Sequence, residues 1–524
     1  MSTASRIISG SVASWAQIAV TMAAQIVLVP VYLTYWDVQT YGVWLAAQGI
    51  MSALSMLDMG YQTYMAYEFL RIGPRDLPLM AKSLWSSLIF GISIALLQLV
   101  IVCAIAFSSL LPFLIGEADT ASAALLEGAT VALIVQGLIW LALMTIPGLI
   151  VRVLAAFGYF PRFAWWSFSY AVISAAAPLI AVVMGGDLKA ASFALGAVAV
   201  AYGIAFYFEL WKLLSREKIR ILKPSFSLGF SNFKKSLPLL GKSLLENARQ
   251  QGVRLIMAPL TGAVGLAAFS TMRTGANVVL QGLNTIINPL LPDLMRFLHD
   301  RDQERSEAAF ATIWIVVVVA LAPGVVILQG LFEPFFVFWT KGKIEFDPVL
   351  FALLSMGVLI YAVVQPALAV VLGNNMTQKQ LLIAALAAVV LFVFMGTLVP
   401  YIGLPGAGVA LMAAEVTAAI GYRKFAIRWL NENGLKWPDR AYGLACVALL
   451  IAAGTITVMI WFPEWKWYSM AASFVLFAWN ALLYLKQLPK VAVASALNIA
   501  DRLPIVRSVV RRFLTTRQVK GRTA

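Results

Sequence analysis

The chain has 524 residues, 61% hydrophobic and 12% charged, with a formal net charge of +15 and a mean hydropathy of +0.86. Soluble chains carry about 25% charged residues, so this composition excludes an ordinary soluble enzyme, a disordered chain and a secreted disulfide scaffold. It is the composition of an integral membrane protein.

A basic excess in a soluble protein would suggest nucleic acid. In a membrane protein, Lys and Arg collect in the cytoplasmic loops instead, and no nucleic-acid partner is expected. Cys103 and Cys446 lie inside apolar runs and imply no disulfide framework. The single His299 has no second His or Cys nearby, so no metal site is expected.

An apolar run of about 20 residues crosses a bilayer. Fourteen such runs occur in chain order: 8–32, 42–66, 84–111, 129–151, 164–184, 190–210, 237–260, 264–291, 309–329, 348–372, 381–400, 407–422, 441–461 and 468–485. The first is too long for a cleavable signal peptide and lacks a small-residue cleavage site. If the N-terminus starts in the cytoplasm, 31 of the 39 basic residues fall in inner segments and four in outer loops. This asymmetry puts both termini inside. Residues 501–515, with Leu503, Val506 and Val510 recurring against Arg502, Arg507, Arg511 and Arg512, read as an amphipathic surface helix.

The two halves of the chain echo each other. Pro30 and Tyr41-Gly42-Val43-Trp44-Leu45 correspond to Pro259 and Val264-Gly265-Leu266-Ala267-Ala268. Gly185-Gly186-Asp187 corresponds to Gly403-Leu404-Pro405-Gly406 in the same order. The expected fold is all-α and polytopic: fourteen transmembrane helices, arranged as two six-helix bundles related by a pseudo-two-fold axis along the membrane normal, plus two extra C-terminal helices. The expected divisions are an N-terminal bundle over 1–210, a basic cytoplasmic linker over 211–236 and a C-terminal bundle over 237–429. An extra helix pair over 430–485 and a basic cytoplasmic tail over 486–524 complete the chain. Repeat-built transporters bind substrate between their halves near the midplane.

The seventh and eighth spans carry charges where charge is costly. Lys242, Glu246 and Arg249 are spaced four and three apart and share a helix face, with Arg254 further round beside Gln250. Arg273, Asn277, Gln281, Asn284 and Asn288 form a polar stripe on the eighth span. A charge at mid-membrane costs about 3 kcal/mol on insertion scales. Four cations against one acid exceed what mutual pairing can neutralise, which points to a cationic substrate cavity. The candidate binding residues are Arg249, Arg273, Lys242, Arg254, Asn277, Gln281 and Asn284. Ser14, Gln17, Thr21 and Gln25 make a milder stripe on the first span, which serves equally well to hold helices together. Asp58 and Glu415 are lone mid-span carboxylates. Asp58 and Glu246 are the candidates for ion coupling; Glu246, beside Lys242 and Arg249, stays ionised, which makes Asp58 the better proton carrier.

The first-span pattern ending in Pro30, the turn to Tyr41-Gly42-Val43-Trp44, and Leu57-Asp58-Met59-Gly60 resemble the polysaccharide transporter family, as do Phe338-Trp339-Thr340-Lys341-Gly342, Gly373-Asn374-Asn375 and Gly403-Leu404-Pro405-Gly406-Ala407-Gly408. These are the O-antigen and exopolysaccharide flippases, in one superfamily with the multidrug-and-toxin-extrusion antiporters and the lipid II flippases. The resemblance implies a flippase in the inner membrane, moving a polyprenyl-diphosphate-linked oligosaccharide from the cytoplasmic to the periplasmic face by alternating access. It implies the lipid bilayer and polysaccharide polymerase machinery as partners, proton or sodium coupling, no cofactor and no enzymatic step. The family's cavity arginines are not fixed in position, so Arg249 and Arg273 rest on the spacing argument alone.

That cargo suits the residues. Arg guanidinium groups match phosphate oxygens bidentately, and Asn and Gln exchange hydrogen bonds with sugar hydroxyls. An inside-negative potential favours outward movement of an anion by about 2.3 kcal/mol per charge per 100 mV. No Gly-x-x-x-x-Gly-Lys-Ser/Thr loop is present. Two alternatives stay open: a membrane-embedded polysaccharide polymerase or lipid-linked glycosyltransferase, and a multidrug-type cation antiporter of the same fold, whose pocket would be acidic or aromatic.

Overall fold

The computed structural model of the protein describes residues 3–489 except 75, 118–121, 288–290 and 375. At 3–11, 14–15, 242–243, 246–251, 278–279, 282–287 and 291–293 it describes the backbone alone. The expected tail helix at 501–515 lies outside the described residues. Among those residues there are helices and turns and no strand, as a chain in lipid requires when each helix satisfies its own backbone.

The first helices are α1 (Thr3–Tyr35), α2 (Val38–Ile72), α3 (Leu77–Ala106), the short α4 (Leu110–Leu114), α5 (Ala123–Ile139), α6 (Ile146–Ala155), α7 (Phe160–Val183) and α8 (Leu188–Arg216). A π-helical turn, Trp140–Thr145, joins α5 to α6. Next comes α9 (Phe226–Ile287), broken at Gly262, whose φ of 73° and ψ of 172° belong to no helix. The remainder is α10 (Leu291–His299), α11 (Gln303–Val316), a second π turn (Val317–Leu321), α12 (Ala322–Trp339), α13 (Pro348–Gly373), α14 (Thr377–Ile402), α15 (Leu404–Glu432), α16 (Asp439–Trp461) and α17 (Lys466–Gln487).

Twelve of these segments are long and apolar enough to cross a membrane, and the protein is a multi-pass membrane protein. α2 is helical over the second expected span but is not among the twelve, because Gln48, Asp58, Gln62 and several glycines dilute its apolar residues. α9 counts once, over Gly252–Asn277, the stretch whose side chains are described.

Aspartates open many of the helices. Asp37, Asp76, Asp187, Asp302 and Asp347 are the N-caps of α2, α3, α8, α11 and α13, each accepting a hydrogen bond from a first-turn N–H. Such a cap stabilises a helix by about 1 kcal/mol. Three of these five, Asp37, Asp187 and Asp347, sit in loops expected to lie outside.

The chain divides into two compact units. One comprises 1–274 with 336–346 and 395–407, and the other 275–335, 347–394 and everything from 408 onward. The bundle limits read from the sequence follow topology rather than contact, and they stand as a proposal about the repeat. In the first unit a core forms around Tyr61, Met65, Phe69, Leu84, Leu149, Val153, Leu210 and Leu213. The segment expected as a linker takes part in it. α8 runs on to Arg216, α9 begins at Phe226, Ile219 is buried in the core, and the Phe90 ring packs against Phe226, Phe230 and Phe233. In the second unit the core centres on the fully buried Trp314, whose Nε1 donates to the Val363 carbonyl at 2.8 Å. The extra pair, α16 and α17, belongs to it: Phe477 and Tyr484 are core residues, and the Tyr484 hydroxyl donates to the Ala311 carbonyl at 2.8 Å.

Within the first unit, α2 meets α9 through glycine. A Cβ at Gly42 would lie 2.0 Å from the Ala263 carbonyl oxygen, at Gly49 it would lie 3.2 Å from Arg254 Cβ, and at Gly60 it would lie 2.5 Å from Leu240 Cα. Small residues let membrane helices approach backbone to backbone, where dispersion and packing replace a hydrophobic drive. A Gly60→Val variant must separate these backbones and should lose about 1–3 kcal/mol of stability, read as a lower melting temperature in detergent. Gly454→Ala, in open space, should melt like the parent.

Candidate functional site

The first unit contains a carboxylate with no exposure at all, Asp58 on α2. Its Oδ2 accepts hydrogen bonds from Gln62 Nε2 at 2.7 Å and from Thr145 Oγ1 at 2.7 Å. Gln62 lies one turn further along the same helix and also donates to the Met144 carbonyl at 3.1 Å. The Trp140 indole N–H also faces this carboxylate, although neither Trp140 Nε1 nor Asp58 Oδ1 completes a hydrogen bond of full geometry with a described residue. Among the described residues no Lys or Arg contacts the carboxylate. An ionised carboxylate in apolar surroundings is costly without a paired charge, and uptake of a proton or cation at Asp58 removes that cost.

A π turn frames this site, and a proline follows it. Pro147 lacks an N–H, and its ring would collide with the carbonyl four residues back in a regular helix. The wide turn Trp140–Thr145 ends two residues before it. Carbonyls in the turn accept from side chains: Tyr207 Oη donates to Ala142 at 2.5 Å and Gln62 Nε2 to Met144 at 3.1 Å. Thr145 is thereby turned toward Asp58. The second π turn, Val317–Leu321, likewise ends two residues before a proline, Pro323. π turns concentrate at functional positions.

Beside Asp58 opens a cavity of about 450 Å³, bounded by Gln17 of α1, Gln62, Trp140, Arg152 of α6, Tyr170 of α7 and Tyr202 of α8. From Met144 to Arg152 it follows α6 for about 12 Å, at 1.5 Å per residue. Arg152 Nε is buried with no hydrogen-bond partner among the described residues. Most of the remaining wall is aromatic or aliphatic, including Phe160, Phe163 and Phe206.

The cations expected to bind substrate are all on α9. Arg254 lies in the first unit against Gly49 and near Tyr41, with its Nε buried and unpartnered among the described residues. The Arg273 guanidinium stands 5.9 Å from the centroid of the buried Phe269 ring. Asn277 and Gln281 are partly buried further along the helix. The side chains of Lys242, Glu246, Arg249 and Asn284 lie outside the described ones. Of the first-span stripe, Gln17 reaches the cavity wall, whereas the Thr21 hydroxyl donates to its own helix at Gln17 O, 2.9 Å away.

Sequence reasoning singled out Asp58 but not its partners. The Asp58–Gln62 spacing of four was a readable signal, and so was Thr145 two residues before a mid-span proline.

No family model matches the chain, and no curated protein matches it either. Solved structures do. The lipid II flippase MurJ in an inward closed conformation aligns with a TM-score of 0.64 at 13% identity, covering 92% of this chain and 99% of its own. An inward-facing multidrug resistance MATE family transporter of the MOP superfamily aligns with a TM-score of 0.56 at 14% identity, covering 80% and 95%. A MOP superfamily transporter from Pyrococcus furiosus Vc1, described by the reverse polarity of its binding pocket, gives 0.50 at 15% identity, covering 82% and 96%. At such identities the likeness is one of architecture: the chain has the helical membrane-transporter fold of the lipid II flippase and the MATE transporters.

Proposed function

We propose that the protein is a flippase for a polyprenyl-diphosphate-linked oligosaccharide, moving it from the cytoplasmic to the outer face of the inner membrane by alternating access, with both termini in the cytoplasm. The observation that carries this reading is the cation surplus in the expected seventh and eighth spans, on either side of the break in α9 at Gly262: Lys242, Arg249, Arg254 and Arg273 against Glu246. A diphosphate is the kind of anion that such guanidinium groups hold bidentately, while Asn277, Gln281 and Asn284 offer donors and acceptors to sugar hydroxyls. The fold shared with the lipid II flippase supports a lipid-linked cargo. The cycle is coupled at Asp58, whose carboxylate takes a proton or sodium ion in one state and loses it in the other.

A second reading has its own observation. The cavity beside Asp58 is rich in aromatic side chains, and an aromatic pocket next to a carboxylate suits an apolar cation. In that reading the protein exports cations in exchange for protons. A strain lacking the gene separates the two: a flippase restores surface glycan and leaves resistance to ethidium unchanged, and a cation antiporter does the reverse.

Two variants test the parts. Arg249→Ala and Arg273→Ala should each abolish glycan complementation at unchanged protein level, and Lys at either position should restore part of it, keeping charge but not the bidentate fork. Normal complementation by both Ala variants would refute the cationic cavity. Asp58→Asn preserves the size of the group and its hydrogen-bonding reach to Gln62 and Thr145, so the fold should survive. Transport by this variant in proteoliposomes should no longer respond to a pH gradient; a parental pH response would remove Asp58 from the coupling step.

A further inference from the structure

In the second unit, α13, α15 and α16 enclose a groove of about 510 Å³ that no part of the transport reading uses. Its walls are apolar: Ile360 and Val364 from α13, Val416, Ile420 and Ile427 from α15, and Leu449 from α16. The groove opens outward, with Ile420 exposed by 64% and Val416 by 39%.

One end of the groove is basic. Arg423 and Lys424 both line it. The Arg423 guanidinium lies 4.6 Å from the centroid of the Tyr442 ring, and one of its NH2 groups is 3.3 Å from Asp439 Oδ1. Its Nε is buried and has no hydrogen-bond partner among the described residues. The guanidinium is therefore held in position by an aromatic face and one carboxylate, with a donor left unmet. The α16 residues that line the groove run from Tyr442 to Leu449, about 10 Å along the helix axis. That fits within one leaflet, half of a hydrocarbon core of about 30 Å. Arg428, Lys436 and Arg440 lie close in sequence to the basic end, which puts that end on the cytoplasmic side by the positive-inside rule.

We infer that this groove is a binding site for an anionic phospholipid of the cytoplasmic leaflet, with its phosphate on Arg423 and Lys424 and one acyl chain along the α13, α15 and α16 walls. Charge and dimensions both select this occupant. A phosphate supplies the acceptor that Arg423 Nε lacks and pairs with guanidinium in a fork, and basic recesses between membrane helices on the cytoplasmic side recognise anionic headgroups. A zwitterionic lipid brings its own cation to a mouth already occupied by two. Asp439 competes with the phosphate for Arg423, so its charge sets the occupancy.

Native mass spectrometry of the full-length protein in mild detergent, with added phosphatidylglycerol or phosphatidylcholine, tests the site. The parent should retain phosphatidylglycerol in preference to phosphatidylcholine. Arg423→Gln with Lys424→Gln should cut that retention about tenfold, and Ala419→Trp, which fills the groove, should cut it as well. Arg428→Gln, a basic residue outside the groove, should leave retention unchanged. Asp439→Asn should raise it, a gain that damage to the fold does not produce. Equal retention of both lipids, or parental retention in the folded Arg423/Lys424 double variant, would overturn the proposal. If that double variant fails to fold, a fall or no change in the Asp439→Asn protein would overturn it just the same.

Discussion

Inside a bilayer there is no water to satisfy a stray carbonyl, so each backbone acceptor must find its donor within the protein. Prolines within the spans remove a donor each; Pro30, Pro178 and Pro366 stay inside α-helices, whereas a π turn ends two residues before Pro147 and before Pro323. In the first unit the π turn carries through to chemistry. Carbonyls of the wide turn accept from Gln62 and Tyr207, and the same turn presents Thr145 to Asp58. A defect in the helix ladder has become the frame of a buried acid. The constraint that demands complete hydrogen bonding thus also determines which side chains a lone carboxylate can reach.

Much of this was legible in the sequence, and for physical reasons. Composition and run length reflect the bilayer directly, so the all-helical membrane class and most of the helix positions were readable from them. Asp58 stood out because a carboxyl group is rare in such a run. Its environment did not, because Thr145 comes from 87 positions away and reaches Asp58 only through the packing of separate helices. Among the described residues twelve segments qualify as spans; α2 is helical, yet its polar residues and glycines leave it short of an apolar window, and its place depends on the helices that cover it.

Loop acids carry a different lesson. Asp37, Asp187 and Asp347, in loops expected to lie outside, are the residues that start α2, α8 and α13. Basic residues face no such local demand at a helix start, where the dipole disfavours them. Lys and Arg are therefore the cleaner reporters of sidedness, and acids report backbone geometry as well.

The glycine seam between α2 and α9 has a consequence for the gene. At Gly42 and Gly60 a Cβ would run into the backbone of the opposing helix, and at Gly262 the conformation is one that only glycine adopts without strain. Every missense change in a glycine codon adds at least that Cβ. At these three codons inheritance can drift only through synonymous bases, so related genes should differ there in spelling but not in residue.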